Sequence, residues 1–247
     1  MRYNLVGMSQ YDSGMSALQR LSSTTTLTAQ QATVIKQTYM LFGLSVVSAM
    51  AGGAIGSSSE TLARFFSGWI GWIVAMVALN AIPYVAMSVR HNPVLGVIAL
   101  FGNGFFSGIV LSPILFFASL VAPAMISAAL VITGVVFVSI TAFIFLSGRT
   151  FNAPRGLMFG MFAAIMAAVL LNSFMNIGWF GVLISAGIGI MGVISLVSST
   201  SGVLNSPDAD SPIPGALALF AGVFNIFVAV LNILLRLFAG GGSRSDD

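Results

Sequence analysis

Residues 124–146 read AMISAALVITGVVFVSITAFIFL, and this stretch decides the fold of the chain. It carries no charged side chain, and as a helix it is long enough to cross a hydrocarbon core of about 30 Å. Six further apolar blocks are also long enough to cross, and the last of them contains their single charged side chain, Arg236. None of the blocks alternates apolar and polar residues as the strands of a membrane barrel do. Their approximate bounds are 37–55, 65–89, 94–119, 156–174, 179–197 and 213–238. The sequence therefore predicts an all-α polytopic bundle of seven transmembrane helices.

The composition supports a lipid environment and excludes several classes of site. Of the 247 residues, 57% are hydrophobic and 6% are charged, whereas a soluble domain carries about a quarter charged residues. The chain has no cysteine and a single histidine, His91, which rules out disulfides, thiolate metal sites and multi-histidine sites. The nine basic residues form no basic patch, so we expect the lipid bilayer and no nucleic acid as a partner. We predict no metal site and no cofactor.

Enzyme motifs are also missing from the sequence. It contains no H-E-x-x-H, no G-x-S-x-G and no P-loop. We therefore predict a protein that is not an enzyme.

The domain organisation follows from where polar residues gather. Residues 1–34 are predicted to form a polar, partly mobile cytoplasmic tail, 35–239 the transmembrane domain, and 240–247 a short polar tail. With seven spans, the basic residues on the side of the N-terminus outnumber those on the other side. The first group is Arg2, Arg20, Lys36, Arg90, Arg149 and Arg155, and the second is Arg64, Arg236 and Arg244. The positive-inside rule places the N-terminus in the cytoplasm and the C-terminus outside.

Neutral polar groups lie within the predicted spans, while no carboxylate lies deep in any of them. Asn103, Asn172 and Asn225, together with Arg90 at the end of the second span, are candidates for a pore or gate. The alternative is that the amides form hydrogen bonds between helices. Arg90 would then only extend its guanidinium to the lipid headgroups.

Glycine pairs and prolines predict local features of the helices. Three G-x-x-x-G pairs can bring helix backbones close together, either inside the bundle or between copies of the chain, so a homo-oligomer stays open. The pairs are Gly52 with Gly56, Gly104 with Gly108, and Gly156 with Gly160. Pro83 and Pro113 should kink their helices. Asn92 before Pro93 should cap the start of one.

Four segments in order resemble the Bax inhibitor family of seven-helix membrane proteins. They are QTYM at 37–40, FSGIVLSPIL at 106–115, GLMFG at 156–160 and IPGALALF at 213–220. In that family a pH-sensitive calcium leak is attributed to two aspartates in the last two helices, linked to an arginine at the end of the second helix. Arg90 matches the arginine, but the aspartate positions fall at about Ser199 and at Gly222. Neither residue ionises near neutral pH, so the resemblance implies the fold without the leak mechanism.

The segment GIVLSPIL at 108–115 is similar to the bacterial YccA-like branch of the family. That resemblance implies a protein of the bacterial inner membrane that modulates the membrane protease FtsH. It also implies that the N-terminal tail is the segment that contacts the protease. We therefore expect a regulator or scaffold of another membrane protein or protease complex. A calcium or proton leak channel and a structural subunit of a larger membrane complex are the alternatives.

Overall fold

The computed structural model describes residues 5–175, 177–205 and 210–241, and these ranges are helical apart from short turns and loops. The described chain forms nine helices: α1 (Leu5–Ser58), α2 (Glu60–Ser67), α3 (Trp69–Ser88), α4 (Pro93–Val110), α5 (Ser112–Val121), α6 (Pro123–Ser147), α7 (Arg155–Met175), α8 (Gly178–Asn205) and α9 (Ile213–Gly241). Seven of these helices contain a stretch that is long and apolar enough to cross a membrane. The predicted all-α bundle with seven spans is therefore confirmed, while the orientation of its termini stays a prediction.

α1 extends beyond its membrane span. The span covers Ala29–Ser58, and the helix continues N-terminally to Leu5 through the segment expected to be a polar tail. This segment contains no proline, and a formed helix gains one hydrogen bond for each residue added to it. Most of the predicted tail at 240–247 lies outside the described residues.

The block expected as one helix over 94–119 is divided in two. α4 ends at Val110 and α5 begins at Ser112, with the Leu111 amide donating to the Gly108 carbonyl at 3.2 Å. Pro113, in the first turn of α5, has no amide hydrogen for a continuous helix. The expected kink is thus a break between two helices.

The start of the second block also differs from expectation. α2 begins after Ser59, whose hydroxyl accepts the Leu62 amide at 3.3 Å, and Gly68 separates α2 from α3. Phe65 therefore belongs to the short helix and not to the span. The expected cap at Asn92 is present, because its Oδ1 accepts the amides of Val94 and Leu95 at 3.1 Å.

α1 and α4 are in contact along their backbones. A Cβ at Gly104 would overlap the carbonyl oxygen of Ser45, and one at Gly108 would overlap that of Ala49. On the other side of the contact, a Cβ at Gly52 would overlap the Phe105 carbonyl oxygen, and one at Gly56 would lie 2.6 Å from Ser112 Oγ. Gly52, Gly104 and Gly108 therefore lie between α1 and α4, while Gly56 contacts the first residue of α5.

α8 and α9 form the second close pair. A Cβ at Gly192 would lie 2.9 Å from the backbone nitrogen of Ile226, and one at Gly222 would lie 3.0 Å from Leu196 Cα. Leu196 and Leu219 are fully buried in the central hydrophobic cluster beside this contact.

α7 lies at the edge of the bundle, where it packs on α8. The third glycine pair, Gly156 and Gly160, belongs to this helix, and a Cβ at either position would have no neighbouring atom within 4 Å. The packing expected at this pair is therefore not seen among the described residues. The pair lies on an open face of the helix.

We predict that Gly108→Ala destabilises the protein, although alanine favours a helix over glycine by roughly 0.5–1 kcal/mol. The added methyl group would overlap the Ala49 carbonyl oxygen, and overpacking of this kind costs about 1–3 kcal/mol. The matched control is Gly102→Ala on the same helix, where a Cβ has open space. Denaturant unfolding in detergent, followed by circular dichroism, measures both changes, and equal stabilities for the two variants would contradict the close α1–α4 contact.

Candidate functional site

Arg90 lies in the turn between α3 and α4, next to the start of α9. Its Nε donates to His91 Nε2 at 3.1 Å, and its backbone carbonyl accepts the Ser211 hydroxyl at 2.9 Å. The buried Ser211 Oγ also accepts the Ile213 amide at 3.2 Å, at the first residue of α9. The turn that carries the arginine is thereby tied to the beginning of the last span.

Gly222, where the resemblance predicts the position of one family aspartate, lies about 13 Å along α9 from its first residue. A Cβ there would be 3.0 Å from the Cα, Cβ and N atoms of Leu196. The backbone of α8 thus lies in tight contact with this position, and α8 would have to shift by a few tenths of an ångström to admit a side chain.

Ser199, at the other family position, is half-buried on α8, and its hydroxyl donates to the Leu196 carbonyl of its own helix at 3.2 Å. Such a bond satisfies the hydroxyl locally without linking two helices. The two positions therefore hold one glycine contact and one internally bonded serine, and neither provides a carboxylate.

The neighbours of Ser199 hold the basic loop between α6 and α7. The amide of Phe151 donates to Ser201 Oγ at 2.7 Å, and the amide of Ala153 donates to Ser198 Oγ at 3.1 Å. One turn farther along α8, Asn205 Nδ2 donates to the Arg149 carbonyl at 3.0 Å. This end of α8 therefore acts as a polar clamp, Ser198, Ser201 and Asn205, on loop 148–154.

Sequence reasoning did not identify this clamp. The spacing of three and four residues does place its members on one helix face. However, nothing in the sequence shows that their partner is the backbone of a loop some 50 residues away.

The three candidate amides lie on different helices. Asn103 is buried in α4, Asn225 is half-buried in α9, and Asn172 lies near the end of α7. The Oδ1 of Asn172 accepts the Ile177 amide at 3.2 Å and so stabilises the turn before α8. No hydrogen bond joins any two of the three amides within the described ranges, so the structure does not bring them together as a polar path.

An apolar cavity of about 470 Å³ lies between α1, α6 and α9, with α4 and α5 at one end. None of the pore or gate candidates, Arg90, Asn103, Asn172 and Asn225, lines it. Its walls are mainly aliphatic and aromatic, and the polar side chains among them are Ser57 and Thr133. Sequence reasoning did not identify it, because its lining residues resemble those of any buried helix face.

We predict that Ser201→Ala accelerates hydrogen exchange at the amide of Phe151 by roughly fivefold. The substitution removes the hydrogen bond of this amide, which contributes about 1 kcal/mol to the free energy of opening the loop. The control is Ser199→Ala, since that hydroxyl bonds only within its own helix. Hydrogen-exchange mass spectrometry of loop 148–154 measures the effect. Equal exchange in the two variants would show that the clamp does not hold the loop.

Comparison with known proteins agrees with the architecture. An uncharacterised protein of Campylobacter jejuni is 32% identical over 232 residues, which cover 92% of this chain and 97% of that protein. One from Neisseria meningitidis serogroup A is 30% identical over 214 residues, covering 85% and 93%. The Escherichia coli K12 protein named "Modulator of FtsH protease YccA" is 24% identical over 202 residues, covering 81% and 89%. The family model described as "Inhibitor of apoptosis-promoting Bax1" matches residues 31–239, and the chain therefore belongs to the Bax inhibitor family.

Proposed function

We propose that this protein is a non-enzymatic integral protein of the bacterial inner membrane that regulates or scaffolds another membrane protein, namely a protease of the FtsH type. The observation that carries this proposal is the similarity to the E. coli modulator of FtsH, which extends over 81% of the chain. A second E. coli relative, from strain CFT073, is named an inner membrane protein and matches over the same share of the chain.

The extension of α1 supports a regulatory contact. Residues 5–28 continue α1 for about 36 Å beyond its membrane span. The distribution of basic residues predicts that this extension lies in the cytoplasm. It would present a helix to a partner while the span Ala29–Ser58 is held against α4.

The competing function, a calcium or proton leak, has less support. The family resemblance places an acid where this chain has Gly222, and a Cβ at that position would lie 3.0 Å from Leu196 of α8. Arg90 is tied through its backbone to Ser211, and Asn103, Asn172 and Asn225 lie on three separate helices. A structural subunit of a larger complex is the third candidate.

The regulatory proposal predicts that the full chain alters the rate at which a co-reconstituted FtsH-type protease degrades a membrane substrate. Deletion of residues 1–28 should remove most of this effect, because the deletion takes away the α1 extension and leaves the seven spans. Deletion of residues 242–247 is the control and should leave the effect unchanged. Degradation is measured in proteoliposomes of defined composition.

Two results would contradict the proposal. One is an equal effect of the full chain and of the chain without residues 1–28, which would exclude docking through the extension. The other is a flux of calcium or protons above that of empty liposomes, abolished by Arg90→Ala. That result would establish the leak function in its place.

A further inference from the structure

The dimensions of the apolar cavity restrict what it can hold. It extends along α1 from Phe42 to Ser57, which corresponds to about 22 Å of helix. Its volume of about 470 Å³ then gives a mean cross-section of about 21 Å². An α-helix with its side chains is about 10 Å wide and has a cross-section of roughly 80 Å². The cavity is therefore long and narrow, and a single hydrocarbon chain fits its length and width.

The length and position of the cavity match one leaflet of a bilayer. Its deep end at Phe42 lies near the middle of the α1 span, and its other end at Ser57 lies beside the last residue of that span. Half of a bilayer, including its headgroups, is about 20–22 Å thick. The cavity thus extends from the bilayer midplane to the headgroup region on the side where α1 ends.

Ser57 lies at one end of the cavity, and Thr133, the other polar side chain of the lining, lies on α6 one turn from Phe137. Aromatic rings line the deep end. The ring centroids of Phe42 and Phe137 lie 4.9 Å apart there, and those of the stacked Phe220 and Phe224 lie 5.8 Å apart. At the other end, the Ser57 carbonyl accepts the Ser119 hydroxyl at 3.2 Å. An acyl chain would contact the aromatic rings, and its ester and headgroup would remain at the polar end.

The cavity has a side opening between α1 and α6. Gly43 on α1 and Gly134 on α6 line it, and a Cβ at either position would have no atom within 4 Å. Two larger residues of the lining, Met50 and Leu130, are 53% and 39% exposed. Because both helices span the membrane, this opening faces lipid, and an acyl chain can enter without crossing water.

From these four features we infer that the cavity binds one acyl chain of a phospholipid from the leaflet at the C-terminal end of α1. The bound chain packs between α1, α6 and α9, with its methyl end against Phe42 and Phe137. Its binding requires no particular headgroup, because the cavity itself takes up only the hydrocarbon chain. The inference is independent of the regulatory function proposed above.

Photolabelling tests the position of the chain. The full protein is reconstituted in vesicles of phosphatidylethanolamine and phosphatidylglycerol that contain a phospholipid with a diazirine on one acyl chain. A diazirine at the methyl end should label peptides containing Phe42 and Phe137. A diazirine next to the ester should instead label peptides containing Ser57 and Ile126, which line the other end. The inference would be overturned if both diazirines labelled only residues on the outer, lipid-facing surface and neither labelled the peptides containing these four residues.

Substitutions at the opening provide the second test. The double variant Gly43→Leu/Gly134→Leu places two side chains into open space at the mouth of the cavity, so labelling at Phe42 and Phe137 should fall several-fold. Gly102→Leu is the matched control, since its position is also open but does not line the cavity, and it should keep full labelling. Unchanged labelling of the folded double variant would overturn the inference. So would labelling by a free fatty acid with the same diazirine but not by the phospholipid.

Discussion

Direct contact between helix backbones at glycine determines how this bundle is assembled. Inside a bilayer, apolar side chains gain little by leaving lipid for protein, so association depends on close packing and on polar contacts between helices. Between the described spans, such packing joins α1 to α4 at Gly104 and Gly108, and α8 to α9 at Gly192 and Gly222. In both places a side chain larger than hydrogen would meet the backbone of the opposite helix. The two pairs provide a rigid frame, and the remaining spans are arranged around it.

The seven spans were predictable from the sequence because the requirement is local. A helix that crosses lipid must be apolar over its whole length, and its length is set by the bilayer. The cap at Asn92 was predictable for the same reason, since its amide partners lie two and three residues away. The break at Leu111 was only partly predictable. Pro113 signals a disturbance of the helix but does not specify whether α4 bends or ends there, and the neighbouring Ser112 packs close to Gly56 of α1, which the local sequence does not show.

Identical glycine patterns illustrate the limit of such reasoning. Gly104 with Gly108 and Gly156 with Gly160 have the same spacing, but the first pair contacts α1 while the second lies on an open face of α7. The spacing places two glycines on one face of a helix, but it does not specify which other helix packs against that face. The polar clamp on loop 148–154 and the apolar cavity were also unpredictable, because each consists of residues from distant parts of the chain.

The neutral residue at position 222 and the tight contact of α8 with α9 depend on each other. A charged carboxylate in the middle of a span costs about 2.5–3.5 kcal/mol on insertion scales and needs water or a partner charge beside it. A Cβ at Gly222 would lie 3.0 Å from Leu196, so even a small side chain there would push α8 and α9 apart. The close contact between α8 and α9 therefore favours glycine at this position over an acid. On the opposite side, the apolar cavity lies between α1, α6 and α9. The helix that borders it there, α1, is also the one that extends beyond its membrane span.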